Sequence, residues 1–125
     1  MKEGIWVYDI ETLANCFTYT AMERETKQVV QYTIWKDINE IQELIEHLES
    51  VRGLIGFNNI SFDYPVLHYM MNSYTQWSNL SGDDITALVY KKAQSVISEE
   101  WSAVKDMYVK VPQLDLFRIW HYNNR

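Results

Sequence analysis

The sequence predicts an α/β fold built on one mixed, five-stranded sheet with flanking helices. The first 35 residues contain three runs rich in β-branched and aromatic residues, the apolar period then becomes helical, and further strand and helix patterns follow. Strands joined by short links form antiparallel meanders, whereas a helix between two strands is a crossover that favours a parallel pair. The 125 residues are enough for one domain with its own core and too few for two.

The first three strands are predicted from local composition. Val, Ile, Thr and aromatic residues dominate each run, which is typical of strands. The short polar link ERETK between the second and third runs indicates a hairpin, so the three runs predict an antiparallel meander. The runs are IWVYDI at 5–10, CFTYTAM at 16–22 and QVVQYTIW at 28–35.

A helix and a fourth strand are predicted next. In DINEIQELIEHLES, residues 37–50, apolar residues recur at helical spacing. Asp37 is the predicted N-cap, and Glu40 three residues later completes a capping-box pattern. The short apolar run VRGLIGFN at 51–58 then predicts a buried strand.

Two more helices and a fifth strand complete the predicted order. Pro65, two residues after Asp63, suits the first turn of a helix running through VLHYMM. A polar loop with Gly82 as the helix breaker precedes a helix over ITALVYKKAQSVI, residues 85–97, and VPQLDLF at 111–117 predicts the last strand. The order β-β-β-α-β-α-α-β, with its meander and later crossovers, favours an RNase H-like topology.

Composition and charge narrow the function classes. The formal net charge of −6 argues against a general nucleic-acid coat protein, whose phosphate contacts need an excess of Lys and Arg. It is compatible with a nuclease that holds divalent cations on surplus carboxylates. The single cysteine, Cys16, excludes an internal disulfide and favours the cytoplasm. No apolar stretch reaches the length of a signal peptide or a membrane span, so no membrane partner is expected.

Three acidic residues at the ends of apolar strands form the candidate site. Asp9 and Glu11 are two positions apart on the first strand, so they share one face at roughly 7 Å from each other. Asp63 follows the fourth strand at the start of a helix. Because sites in open α/β sheets form at the carboxyl ends of strands, the three acids are expected to converge. Oxygen ligands select Mg²⁺ or Mn²⁺, so the sequence predicts a two-metal site.

Each acid also has a plainer interpretation. A lone D-x-E pair is usually surface charge or helix capping, and Asp63 taken alone is more often a helix cap. The combination carries more weight, because every one of these acids ends an apolar strand at the same edge of the predicted sheet. The three histidines do not form a zinc pattern.

The stretches DIET, residues 9–12, and GFNNISFDYPVL, residues 56–67, resemble two motifs of the DEDD 3′–5′ exonuclease superfamily, and most closely those in the N-terminal part of the proofreading exonuclease domain of phage-type family B DNA polymerases. The first motif of that family is D-x-E and the second is N-x-x-x-F-D. QLDLFRIW at 113–120 is similar to the strand that follows the second motif, so the resemblance spans nearly the whole chain. The matching residues are Asp9 and Glu11 in the first motif and Asn58, Phe62 and Asp63 in the second.

The resemblance implies metal-dependent hydrolysis of DNA from a single-stranded 3′ end, which releases nucleoside monophosphates. In that family Asp9 would bridge the two metals, Glu11 would bind the metal of the attacking water, and Asp63 would hold the second metal. The resemblance also implies a bacterial or phage-infected host cytoplasm. The residues expected to contact nucleic acid are Thr12, Leu13, Asn58 and Phe62.

The third motif of the family, Y-x-x-x-D or H-x-x-x-x-D on a helix after the last strand, is absent. We therefore expect residues 1–125 to form a single but incomplete exonuclease-like domain, inactive or weak alone, whose partner is the remainder of a polymerase or a complementary chain. The missing helix would uncover apolar sheet surface, which favours dimerisation. Asp115 is a candidate substitute for the fourth acid, although its place inside a predicted strand favours a structural role.

Two other function classes remain open. A non-catalytic RNase H-like module that binds a partner chain or nucleic acid is favoured by the absent third motif. A purely structural α/β domain is the weakest alternative, because it treats three motif-matched acids as coincidence.

Overall fold

The computed structural model describes residues 2–99 and 103–118, which form one mixed sheet with helices packed against it. The strands are β1 (Glu3–Leu13), β2 (Cys16–Glu23), β3 (Val29–Trp35), β4 (Ile38–Asn39), β5 (Val51–Gly56) and β6 (Gln113–Asp115). The helices are α1 (Ile41–Ser50), α2 (Asp63–Ser73) and α3 (Gly82–Ser98), with 3-10 helices at Tyr74–Trp77 and Asp106–Tyr108. None of these helices is both long enough and apolar enough to cross a membrane.

The sheet has the order β4-β3-β2-β1-β5-β6. β1, β2 and β3 pair antiparallel, which confirms the predicted meander. β5 pairs parallel with β1, and β6 pairs parallel with β5. The predicted α/β class is therefore confirmed, with six strands in the described residues where five were predicted.

One face of the sheet carries the core. Alternation along β1 buries Trp6, Tyr8 and Ile10, and the paired residues of β2 and β3 extend the same apolar face. The buried faces of α1 and α3 pack there. On the other face, the side chains of β1, β2 and β3 are exposed or half-buried, so the described helices cover one side of the meander.

The start of α1 differs from the prediction. The helix begins at Ile41 rather than after an Asp37 cap, because residues 38–39 pair with the end of β3 as β4. The predicted capping box is also wrong: Glu40 makes no side-chain cap, and its Oε1 accepts a hydrogen bond from the Thr33 N–H at 2.9 Å. Residues 38–39 and the Glu40 side chain, which the local pattern assigned to the helix, therefore belong to the edge of the sheet.

Gly82 is the first residue of α3 rather than a loop breaker. Ser81 caps this helix, and Asp84 returns the bond in a full capping box. A Cβ at position 82 would lie 2.8 Å from the Lys36 carbonyl oxygen, so the glycine permits close approach of the helix to the β3–β4 turn. Pro65 lies in the first turn of α2, as predicted.

The last strand is shorter than predicted. β6 spans three residues, and residues 116–118 are helical. The strand ends here because Asp115 Oδ1 accepts the Phe117 N–H at 3.0 Å, which is the geometry of a cap at the start of a helix. The predicted continuation through 119–120 lies outside the described residues.

Candidate functional site

Asp63 lies at the carboxyl end of β1 because β5 stops before β1 does. The last β1–β5 pair joins Val7 to Ile55, while β1 continues for six more residues, to Leu13. Beyond that pair, the Ile10 N–H donates to Asp63 Oδ2 at 3.3 Å. The first residue of α2 therefore places a carboxyl group where the next strand partner would otherwise lie.

Asp9 is the neighbouring acid. Its side chain is exposed on the open face of β1, whereas that of Asp63 is 6% exposed. Burial raises the pKa of Asp63 to about 7; the hydrogen bond from the Ile10 N–H opposes this rise, and the nearby Asp9 charge adds to it. The acids of the first and second motifs thus lie within electrostatic reach of each other.

Glu11 shares the exposed face of β1 with Asp9, as strand alternation predicts. The described contacts do not join it to Asp63. Within residues 2–99 and 103–118, no three His, Cys, Asp or Glu side chains are grouped closely enough to hold a metal ion. The convergence seen in the structure is therefore the pair Asp9–Asp63, with Glu11 on the same strand and face as Asp9.

The four residues assigned to nucleic-acid contact surround the same end of the sheet. Thr12 is half-buried and Leu13 is 57% exposed, both at the end of β1. Asn58 is exposed in the loop after β5, in the left-handed region with a φ of 60°. Phe62 is half-buried immediately before α2. The structure therefore places Thr12 and Leu13 on the strand of Asp9, and Asn58 and Phe62 in the loop that precedes Asp63.

Sequence reasoning missed a buried polar group beside the acids. Gln113 Oε1 accepts from the Tyr8 hydroxyl at 2.9 Å and from Asn59 Nδ2 at 2.7 Å. Asn59 is fully buried, and its Oδ1 has no partner among the described residues. Burial raises the pKa of the Tyr8 hydroxyl, and the Asp63 charge raises it further. Tyr8 looked like an ordinary core residue in sequence, although Asn59 stood inside the second motif.

Asp115 has the surroundings of a structural acid. Its side chain is 2% exposed. Both oxygens accept backbone N–H groups, from Asn58, Ile60 and Phe117. Its environment therefore differs from that of Asp63, which accepts one main-chain bond from β1 and faces another acid.

Asp9 and Asp63 supply two carboxyl groups, which are the oxygen ligands that a hard divalent cation prefers. Two carboxyl groups that repel each other, one of them buried, gain from a hard cation that takes oxygen ligands. The observation that favours a cation here is the placement of the buried Asp63 carboxyl group at the end of β1, where the Asp9 charge adds to the rise in pKa that burial causes. A second cation would need Glu11 and further oxygens that the described residues do not group with the pair.

The comparisons with known proteins gave no match. A scan against protein-family models, a search of curated proteins and a search of solved structures were each negative. Function is therefore inferred from the residues and geometry of this chain.

Proposed function

We propose that this chain is the N-terminal part of a divalent-metal-dependent 3′–5′ exonuclease domain with an RNase H-like fold. Its substrate would be the 3′ end of single-stranded DNA, and its products nucleoside monophosphates. One observation carries the proposal: Asp63 from the second motif lies at the end of β1, accepts the Ile10 N–H, and interacts with Asp9 from the first motif.

The sheet supports the RNase H-like part of the proposal. An antiparallel meander is followed by two strands that run parallel to β1, one reached through α1 and the other after α2 and α3. This arrangement leaves the carboxyl ends of β1, β5 and β6 at one edge, where the two motifs and Asp115 lie. Sites in open α/β sheets form at such edges.

The residues at this edge have distinct proposed roles. Asp9 and Asp63 would hold Mg²⁺ or Mn²⁺, with Glu11 on the same face of β1 as Asp9 for a second ion. When bound, such a cation supplies Lewis-acid stabilisation of charge on the scissile phosphate. The Ile10 N–H orients the Asp63 carboxyl group. Thr12, Leu13, Asn58 and Phe62 would contact the terminal nucleotides.

A ladder assay tests the proposal. The chain is incubated with 5′-labelled single-stranded DNA and Mn²⁺, beside Asp9→Asn, Asp63→Asn and the control Asp37→Asn, which removes an equal charge from an exposed turn. We expect a weak ladder of shortened products, because the acid of the third motif is missing. The ladder should persist in the control and disappear in the two site variants. A ladder of wild-type strength from Asp9→Asn would overturn the assignment.

The alternative is a non-catalytic module that keeps the fold and binds a partner chain or nucleic acid. The open face of the sheet favours it, since Val7 and Leu114 are 41% and 46% exposed there on neighbouring parts of the sheet. Binding of labelled DNA that is insensitive to Mn²⁺, with no ladder at any cation concentration, would favour this alternative over the exonuclease.

A further inference from the structure

The Asp115 carboxyl group joins the ends of β5 and β6. Its Oδ1 accepts from the Asn58 N–H at 2.8 Å and from the Phe117 N–H at 3.0 Å. Its Oδ2 accepts from the Ile60 N–H at 3.1 Å. Hydrogen bonds from N–H groups to a carboxylate are among the stronger ones in proteins, so this buried group fixes the loop of residues 57–62 firmly.

The same loop holds Asp63 in place through two backbone hydrogen bonds. The Phe62 N–H donates to the Asn58 carbonyl at 3.1 Å, and the Tyr64 N–H donates to the Asn59 carbonyl at 2.8 Å. These two bonds lie on either side of Asp63 in the chain. Asp63 in turn accepts the Ile10 N–H of β1. Hydrogen bonds and the short stretch of backbone between them therefore connect Asp115 to the end of β1.

Gln113 adds a second tie between β6 and the same loop. It accepts the amide of Asn59 and the hydroxyl of Tyr8, so β6 holds both the loop and the core face of β1. This short strand contributes little apolar burial: of its three residues, only Asp115 is buried. What it contributes to this end of the sheet is polar anchoring.

We propose that Asp115 is a positioning residue, which holds Asp63 against β1 and thereby sets the cation affinity of the Asp9–Asp63 pair. The part that concerns cation affinity rests on the proposed function. Asp115 acts through the loop rather than as a ligand, because its two oxygens face backbone N–H groups. Outer partners of this kind typically change metal affinity by about 10- to 100-fold when they are mutated.

The first test needs no metal. Hydrogen exchange of the Ile10 amide is followed by NMR in the wild type, in Asp115→Asn and in Leu48→Ala, with the amides of β2 as the internal reference. Leu48 is fully buried in the last turn of α1, next to the amino end of β5, so its truncation destabilises the domain away from the site. We expect Asp115→Asn to lower protection at Ile10 by at least about tenfold relative to β2. Leu48→Ala should lower both equally.

The second test measures Mn²⁺ affinity by calorimetry in the same variants. Asp115→Asn should bind about 10- to 100-fold more weakly than the wild type, and Leu48→Ala within about twofold of it. Wild-type protection of Ile10 and wild-type affinity in Asp115→Asn would overturn the proposal. So would an equal loss of affinity in Leu48→Ala, since the effect would then be one of global stability.

The two tests distinguish a failure of the positioning role of Asp115 from a failure of the proposed exonuclease function. If the wild type binds no Mn²⁺, the proposed function fails, while Ile10 protection still decides whether Asp115 positions Asp63. If Asp115→Asn does not fold, Asp115→Glu replaces it, because it keeps the carboxyl group and displaces it by one methylene. The same outcomes are then expected, and unchanged Ile10 protection in a folded Asp115→Glu would overturn the positioning role.

Discussion

His47 and Asp63 are both buried titratable side chains, but the two regions of the molecule that hold them treat them differently. His47 lies on α1 over the meander, where its Nε2 is 2.9 Å from the Tyr19 hydroxyl and its ring centroid is 4.8 Å from that of Trp6, with the two rings nearly perpendicular. Asp63 lies at the edge of the sheet formed by the carboxyl ends of β1, β5 and β6, which we call the carboxyl edge. There it accepts one N–H at 3.3 Å and is close enough to Asp9 for their charges to interact.

The two side chains differ in the direction of their pKa shifts and in the charge of their neighbours. Burial lowers the pKa of His47 to about 4, so the imidazole is neutral at pH 7 and has a neutral hydroxyl as its partner. Burial raises the pKa of Asp63 to about 7, and the negative charges of Asp9 and Asp115 raise it further. A buried group with a matched partner is structural. A buried acid that faces a second acid is a candidate ligand for a cation.

The largest expected effect comes from Asp63→Asn, which keeps an oxygen for the Ile10 N–H and removes the charge. The pKa of Asp63 is raised by folding from 3.8 to about 7, so its contribution to stability is full below pH 4 and is lost as the pH rises through 7. At pH 8 the free variant should therefore be more stable than the wild type, on the order of 3 kcal/mol. Urea denaturation at pH 8 and pH 4 measures this difference, which should shrink at pH 4.

The same variant should lose the cation. Mn²⁺ affinity of the wild type should rise with pH up to about pH 7 and then level off, because binding displaces the Asp63 proton. In Asp63→Asn the affinity should fall at least about 100-fold, while Asp37→Asn keeps it. Equal stability of Asp63→Asn and wild type at both pH values would mean that Asp63 has no unfavourable charge in the fold.

The sequence predicted most of the meander region, because its signals are local. Composition located β1, β2 and β3 within three residues at every end, and helical spacing located the body of α1. The start of α1 was wrong because Glu40 bonds to Thr33 across the sheet edge, a contact that no local pattern contains. The same limit applies to Gly82, because a glycine is needed there only where the β3–β4 turn comes close to the start of α3.

The carboxyl edge was predictable in outline only. Strand ends and motif spacing indicated that Asp63 would come near Asp9, since both follow from where adjacent strands stop. The hydrogen bonds of Asp115 to the loop after β5, and the shared use of Gln113 by Tyr8 and Asn59, join residues that are more than 50 positions apart in sequence. Such pairings depend on the register of a three-residue strand, which composition does not determine.

A smaller effect should come from His47, with the opposite sign to that of Asp63. The pKa of His47 is lowered by folding from 6.5 to about 4, so its contribution to stability is full above pH 6.5 and is lost as the pH falls through 4. In an Asp63→Asn background, which removes the opposing acid, stability should fall by up to about 3 kcal/mol between pH 7 and pH 4.

Replacement of His47 by Gln in that background should flatten the fall, since a neutral amide does not titrate. Urea denaturation across the pH range measures both slopes. If the free energy of unfolding of the double variant still falls as steeply with decreasing pH, the acid sensitivity comes from a titratable group other than His47. Mn²⁺ affinity should not depend on His47 in an otherwise wild-type chain, because α1 packs on the meander away from the carboxyl edge.

The smallest effect on stability is expected at Asn58, where backbone and side chain can be separated. Its φ of 60° lies in the left-handed region, which Asn tolerates and Gly adopts freely, and the bond from its N–H to Asp115 does not involve the side chain. Asn58→Gly should therefore change the free energy of unfolding by less than about 1 kcal/mol. In fluorescence anisotropy, this variant should bind a short labelled DNA strand less tightly than the wild type.

Asn58→Val should destabilise the fold by about 1–3 kcal/mol, because a β-branched residue is strained at this φ and the strain acts on the loop that Asp115 holds. If both variants weaken DNA binding and only Val lowers stability, the side chain serves the ligand and the backbone serves Asp63. Equal destabilisation by Gly and Val would instead place the role of Asn58 in the fold, as for His47 over the meander.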